Sequence, residues 1–477
     1  KHIINSFKFF RDKLKYIKYY KYININKSDN CNIIPNKYVR RYNFARFNGP
    51  QKFLCFAPYN NLFFDIRGKV VVCNQNREYI LGDISQESLH DIWFGKKRKQ
   101  LCENIENHDF SLGCQKCADA IISENYNSLM AISYDYTTKI SHYPTRLEFE
   151  LSNICNLACV MCNGFLSSTY QKHFHQKEPY KSVYSNKFIE QLEEFIPHLT
   201  FTKFSGGEPF LIDMYYDIWE LIIKLNPKCG IHVQTNGLIL NNKVKKILEK
   251  GNFHIGVSLD GTSKESFENI RLYGKFDRVL NNLYYFRDYC ERKNTKLNIP
   301  FTPTIKSMYE VPYFSELANR YNATVFFNVV WEPHALAIWT LDSATLKELL
   351  QYYKKFNIQA KNYTEHKNKL QFEFFKNQII KWISDAEIRE TMYKNYEEFD
   401  NEKLISTLIE KLIVYDNGTL RNWFTDEIIE NPQNYYYSIL NQKLKENPQK
   451  IRGHLIKMNT YDIERVYIDV NNFFHLH

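Results

Sequence analysis

From residue 146 onward the chain alternates short runs of β-branched and aromatic residues with longer segments whose apolar positions recur at helical spacing. Six runs read as strands: 147–151, 200–204, 230–235, 254–259, 297–305 and 324–330. Between them, 186–196, 212–226, 241–250, 277–292 and 310–321 read as helices. Alternation of this kind predicts an α/β fold, with strands paired in parallel and helices packed outside. Ahead of it, 61–73 carries two strand-like runs around Arg67-Gly68 and predicts a β-hairpin, with a helix following at 87–94. Beyond 340 the pattern is helical, at 346–356, 370–383 and 402–414, the last ended by Asp416-Asn417-Gly418. Residues 24–50 are polar, contain Pro35 and Gly49-Pro50, and read as an irregular linker.

Composition narrows the classes. At 477 residues the chain is long enough for two or three domains. A net charge of +10 permits an acidic partner, but no basic and aromatic stripe or motif points to nucleic acid. No apolar run approaches the length of a membrane span. Residues 1–23 are basic with interleaved Ile, Phe and Tyr, lack a signal-peptide core, and are expected to form a helix lying on the body of the protein. The 11 cysteines are odd in number and fall mostly in pairs and triplets, which fits metal ligation in a reducing cytoplasm better than a disulfide framework.

Two groups of cysteines carry the candidate chemistry. Cys155, Cys159 and Cys162 lie on one short loop directly after the first strand of the alternating region. Three thiolates there can hold three corners of a soft-metal centre. A tetrahedral zinc would need a fourth ligand, and no Cys or His follows within ten residues. A 4Fe–4S cluster with three protein ligands would leave one iron open. The bland alternatives are buried small hydrophobes or part of a zinc site. Cys55 and Cys73, brought together by the hairpin, join Cys114 and Cys117 in a four-thiolate set that suits zinc as well as iron–sulfur. Cys102 falls in an expected helix, and Cys229 and Cys290 precede strands; all three read as packing thiols.

The CX3CX2C loop resembles the signature of the radical S-adenosylmethionine (SAM) enzymes. The resemblance extends along the chain: Gly206-Gly207-Glu208-Pro209 ends the second strand, Thr235-Asn236-Gly237 the third, and Ser258-Leu259-Asp260-Gly261, with Arg271 beyond it, the fourth. It implies a partial (β/α)6 TIM-type barrel with its chemistry at the carboxyl ends of the strands. It also implies a 4Fe–4S cluster on Cys155, Cys159 and Cys162, with SAM chelating the open iron. Gly206, Gly207, Glu208, Asn236, Ser258, Asp260 and Arg271 would then bind SAM. Met161 stands where the family usually has an aromatic residue against the adenine. The order Cys55, Gly68, Cys73, Leu81-Gly82-Asp83-Ile84, Ser88 to Trp93, then Cys114 and Cys117, resembles a SPASM or twitch domain. That unit usually follows the barrel; here it precedes it. The cysteines for a second auxiliary cluster are missing, so the resemblance implies one auxiliary 4Fe–4S cluster.

The expected organisation is 1–50 basic segment and linker, 51–140 auxiliary cluster domain, 141–339 barrel and 340–477 helical extension. The resemblance implies reductive cleavage of SAM to a deoxyadenosyl radical, an electron donor such as flavodoxin or ferredoxin, and a ribosomal peptide or protein as substrate, for crosslinking, oxidation or epimerisation. The alternatives are dehydrogenation or rearrangement of a small molecule such as a sugar or aminocyclitol, and a non-catalytic metal-stabilised binding protein. Glu332 and His334, after the sixth strand, are candidate substrate contacts.

Overall fold

The computed structural model describes residues 33–46, 48–126, 129–136, 139–176, 178–330, 333, 336–392 and 399–407, with short pieces between 438 and 452. The basic segment 1–23, most of the 402–414 segment, and Glu332 and His334 lie outside the described residues. The chain divides into two compact units, one of Lys1–Ser152, Lys181–Val233 and Lys243–Phe253, the other of Asn153–Tyr180, Gln234–Asn242 and His254–His477.

The first unit is built on a row of phenylalanines. Its strands are β1 (Asn61–Phe64), β2 (Lys69–Val71), β3 (Gly82–Asp83), β4 (Arg146–Phe149), β6 (Phe201–Phe204) and β7 (Gly230–Thr235), whose last two residues belong to the second unit. The intervening β5 (Ala158–Cys159) belongs to the second unit. β1, β2 and β3 pair antiparallel, which makes the expected hairpin. β1 also pairs in parallel with β4, and β4 with β6, β6 with β7. The hairpin is therefore continuous with the barrel's first strand. The register sets Phe64 opposite Phe149 and Phe149 opposite Phe204, with ring centroids 5.3 and 4.7 Å apart. Trp219, on helix Asp213–Leu225, closes the row edge-on at 5.4 Å. Each buried ring contributes about 1.5–3 kcal/mol, enough to fix which strand the hairpin joins. The same pairing buries Glu148, a residue that strand alternation alone would leave in water. Its carboxylate accepts from Tyr134 Oη at 2.8 Å and Asn61 Nδ2 at 3.1 Å, and lies 3.2 Å from Arg146 Nε.

The second unit carries β8 (Phe253–Val257), β10 (Leu297–Phe301) and β11 (Thr324–Phe327), paired in parallel. Its separate ribbon joins β5 antiparallel to β9 (Arg271–Leu272). The C-terminal helices are Ser343–Lys354, capped by Asp342 accepting from Thr345 N at 2.8 Å, and Tyr363–Met392. The second helix covers the edge of β11. Asn368 is fully buried, accepts from Val325 N at 2.7 Å and donates to Ala323 O at 2.9 Å, giving the edge strand side-chain partners there.

All six expected barrel strands and the five helices between them are present, giving the alternation of a partial (β/α)6 barrel. Three details differ from the sequence reading. The strand expected over 297–305 ends at Phe301, where Thr302 N turns away to Asp260 Oδ1 at 2.8 Å and Pro303 has no N–H to continue the ladder. The stretch 24–50, read as an irregular linker, contains helix Asn36–Ala45. Val39 and Tyr42 bury one face of that helix, and Arg46 locks its end with a buried fork to Asp135 at 2.5 and 2.7 Å. Cys290 lies inside helix Phe276–Lys293, rather than just ahead of a strand; it and Cys229 are buried, as expected of packing thiols.

Candidate functional site

In the second unit, the loop bearing Cys155, Cys159 and Cys162 is anchored at both sides by polar side chains. Asn153, 1% exposed, donates to Gly164 O at 2.8 Å and Gln171 Oε1 at 2.9 Å. Ser167 caps helix Ser168–His175 by accepting from Tyr170 N, and its hydroxyl donates to Leu157 O at 2.5 Å. Ser168 Oγ accepts from Cys155 N at 3.1 Å, and Thr169 Oγ1 donates to Cys155 O at 2.6 Å. These bonds hold the backbone on both sides of the thiols, which stay half-buried. Asn236 braces the loop from another strand end: its Nδ2 donates to Asn156 Oδ1 at 2.7 Å while its Oδ1 accepts from Leu238 N at 3.0 Å.

Arg271 and Asp260 give this loop its charge. The ribbon places Arg271 opposite Cys159, and Arg271 Nη1 stands 3.7 Å from the Cys159 sulfur. Asp260, fully buried, holds Arg271 Nη2 at 2.5 Å. Burial alone would pull the guanidinium's pKa down; the charges of Asp260 and Cys159 overcome it and hold it above the ordinary value. Burial pushes the Cys159 thiol up, and Arg271 opposes that shift. Arg271 Nε is buried and makes no hydrogen bond among the described residues, which leaves donor capacity for an anion. Ser258 Oγ accepts from Gln234 Nε2 at 2.7 Å. Met161 and Val160 pack with Trp339 and Ile305 against a buried cluster of Val330, Leu336 and Ala337.

In the first unit, Gly206 and Gly207 follow β6 with φ of 79° and 55°. A side chain at Gly206 would meet Glu150 Cγ at 2.6 Å and Ser152 O at 3.1 Å, so the loop requires glycine on both counts. Glu208 is fully buried and caps the next turn by accepting from Phe210 N at 3.2 Å. Glu150, one residue past β4, pairs with Arg77 at 3.3 Å; burial still raises its pKa.

Also in the first unit, Cys55, Cys73, Cys114 and Cys117 line one cavity together with Ile105, Phe110, Met130 and Tyr134. Burial raises the pKa of all four thiols, Cys73 to about 12, and neighbouring thiols push Cys55 further. Each sulfur is met by N–H groups: Ala57 N donates to Cys55 at 3.4 Å, Asn76 N to Cys73 at 3.4 Å and Asn76 Nδ2 to Cys114 at 3.2 Å, while Met130 and Ala131 N–H groups favour the Cys117 thiolate. The donor set fits an anionic sulfur-ligated group. Among the described residues no three His, Cys, Asp or Glu side chains converge to hold a single metal ion. Cys102, on helix Lys96–Glu106, instead lies near Arg98 and Pro58 O.

Sequence reasoning missed Asn153, Asn156, the Ser167–Thr169 run, Gln234, Glu150 and Asn76. For Ser167–Thr169 the readable signal was a Ser-Ser-Thr run opening a helix right after the loop.

This arrangement has counterparts. Residues 149–307 match the model of the radical SAM superfamily, and residues 55–118 match that of the SPASM iron–sulfur cluster-binding domain. The chain thus carries a radical SAM domain and, N-terminal to it, an iron–sulfur cluster-binding domain of the SPASM type. Those domains imply a 4Fe–4S cluster with SAM, and auxiliary iron–sulfur, as cofactors. The chain is 27% identical over 154 residues to GTP 3',8-cyclase of Clostridium perfringens (strain SM101 / Type A), covering 32% of this chain and 45% of that one. It is 29% identical over 187 residues to mycofactocin maturase MftC of Mycolicibacterium smegmatis, covering 38% and 43%. It spans less than half the length of these curated relatives. The crystal structure of Streptococcus suis SuiB bound to S-adenosylmethionine is 16% identical, covers 56% of this chain and 59% of that one, and has a TM-score of 0.35, too slight a likeness to carry an argument. Among the described residues no helix is long and apolar enough to cross a membrane.

Proposed function

We propose that this protein is a radical SAM enzyme that takes a hydrogen atom from a ribosomal peptide or protein substrate to crosslink or oxidise it. The observation that carries the reading is Arg271, a buried guanidinium held by Asp260 against the Cys159 thiol, with Nε left over for a carboxylate. When bound, the cluster and SAM supply reductive cleavage of the sulfonium to a deoxyadenosyl radical. In this reading Cys155, Cys159 and Cys162 hold that cluster. Arg271 takes the SAM carboxylate, Gly206, Gly207 and Glu208 its amino group, Ser258 the ribose, and Met161 packs at the adenine. Asp260 keeps Arg271 aimed, and Asn236 keeps the loop in place. Cys55, Cys73, Cys114 and Cys117 hold one auxiliary cluster that relays an electron or orients substrate. An electron donor of the flavodoxin or ferredoxin type completes the scheme.

The peptide assignment draws on the SPASM domain and on a maturase among the relatives. Epimerisation drops out of favour because no cysteine among the described residues, outside the two ligand sets, stands at the carboxyl end of a barrel strand. A second reading, rearrangement or dehydrogenation of a small molecule, is favoured by a single auxiliary set and by the GTP cyclase relatives. The test is deoxyadenosine formation by the anaerobically reconstituted protein with dithionite and SAM, followed by mass analysis of candidate peptides. No deoxyadenosine would sink the radical reading. Deoxyadenosine with no peptide mass shift, but turnover of a nucleotide or sugar, would move the substrate to the second reading.

A further inference from the structure

Asn76 stands apart from the other residues around the four-thiol cavity. It is 2% exposed, and every polar group of its side chain is committed. One N–H of Nδ2 goes to Leu112 O at 2.8 Å, Oδ1 accepts from Tyr79 N at 3.1 Å, and the remaining amide hydrogen is directed at the Cys114 sulfur, 3.2 Å from Nδ2. Its own backbone N–H reaches the Cys73 sulfur at 3.4 Å. Space for this arrangement comes from Gly113, with φ of 72°, where a side chain would lie 2.2 Å from Asn76 Oδ1. One residue therefore ties two of the four thiols, from different segments of the chain. Among the described residues it is the one side chain that donates to any of them. A loop brace would need only the bonds to Leu112 and Tyr79. A buried amide hydrogen given to sulfur is best used when the sulfur is a thiolate bearing charge.

We infer that Asn76 is a positioning residue that raises the reduction potential of the cluster held by Cys55, Cys73, Cys114 and Cys117. The inference rests on the reading of that site as an iron–sulfur centre. One-electron reduction adds a negative charge to the cluster, and an N–H aimed at a ligand sulfur stabilises the reduced form more than the oxidised one. Hydrogen bonds to sulfur are among the levers that set such potentials. Asn76→Leu removes the donor at similar volume. Asn76→Asp keeps the acceptor for Tyr79 N but replaces the donor with a carboxylate, so its effect is larger and in the same direction.

The experiment uses the full chain with Cys155, Cys159 and Cys162 changed to Ala, so that only the auxiliary site is loaded. After anaerobic reconstitution, iron, sulfide and zinc are counted. The midpoint potential is then followed by electron paramagnetic resonance (EPR) in a mediated titration with dithionite. Asn76→Leu is expected to shift the reduction equilibrium at least tenfold toward the oxidised form, about 59 mV for one electron, and Asn76→Asp further. An unchanged potential in variants with full iron overturns the inference. Should the variants fail to load, the parent protein grown with nitrogen-15-labelled asparagine decides: a nitrogen coupling to the reduced cluster supports the role, and its absence overturns it. Zinc in place of iron in the parent would instead overturn the iron–sulfur reading on which the inference stands.

Discussion

The two thiol sites of this chain are built on opposite plans. Around Cys55, Cys73, Cys114 and Cys117 the walls are mostly apolar, with Gln75, Asn76 and Lys116 among them, and every sulfur is met by neutral N–H groups. Four thiolate ligands there would close a bound centre to further coordination. Around Cys155, Cys159 and Cys162 there are three thiols, a guanidinium 3.7 Å from one of them, and a buried carboxylate that fixes the guanidinium. Neutral donors suit a centre that passes or tunes electrons. A third-party charge with spare donor capacity suits a centre that must also seat a charged cosubstrate. The two sets of cysteines would be hard to tell apart by residue type; what surrounds the sulfurs separates them.

The comparison breaks most sharply with the loop cysteines. Cys159→Ala is expected to abolish deoxyadenosine formation while leaving auxiliary iron in place, checked by product chromatography and iron content. Next in size is Phe149→Ala, which removes the middle ring of the row that joins the hairpin to the barrel. It should cost about 3–5 kcal/mol in chemical denaturation and loosen the auxiliary site with the barrel, since β1 and β4 are paired. A lobe that kept its iron as the barrel unfolded would contradict the shared sheet. Arg271→Lys keeps the charge but loses the planar fork; SAM affinity, read from the EPR change on titrating SAM, should fall about tenfold or more. The auxiliary signal should not move. The smallest effect lies outside both sites. His254 Nδ1 accepts from Lys296 N at 3.1 Å, and burial, aided by the Lys296 charge, lowers its pKa below the ordinary histidine value. A folded pKa below the unfolded one means stability is present above about pH 6.5 and is lost as pH falls through the folded value. Thermal midpoints should therefore fall less on acidification in His254→Gln than in the parent.

Much of this was legible in the chain because the physics was local. Barrel strands and helices announce themselves through periodicity, and the cysteine spacings mark both sulfur sites. The parallel pairing of β1 with β4 was not legible: it joins residues 61–64 to 146–149, and nothing near Phe64 says that Phe149 will lie beside it. Helix Asn36–Ala45 was hidden by a polar sequence, since its stability comes from Val39, Tyr42 and the distant Asp135 rather than from propensity. Asn76, Asn153 and Ser167 were not legible, because a short polar side chain bonding its own loop and one supporting a distant sulfur look alike in sequence. Arg271 was found through its place in a motif; its clamp by Asp260 needed the fold.

The most direct test of two unlike sulfur sites is the iron, sulfide and zinc content after anaerobic reconstitution, in the parent and in the Cys155/Cys159/Cys162→Ala variant. Two clusters predict about eight irons falling to about four, with the remaining EPR signal indifferent to SAM. About four irons falling to none, with one zinc retained, would make the N-terminal thiols a structural metal site and contradict the account.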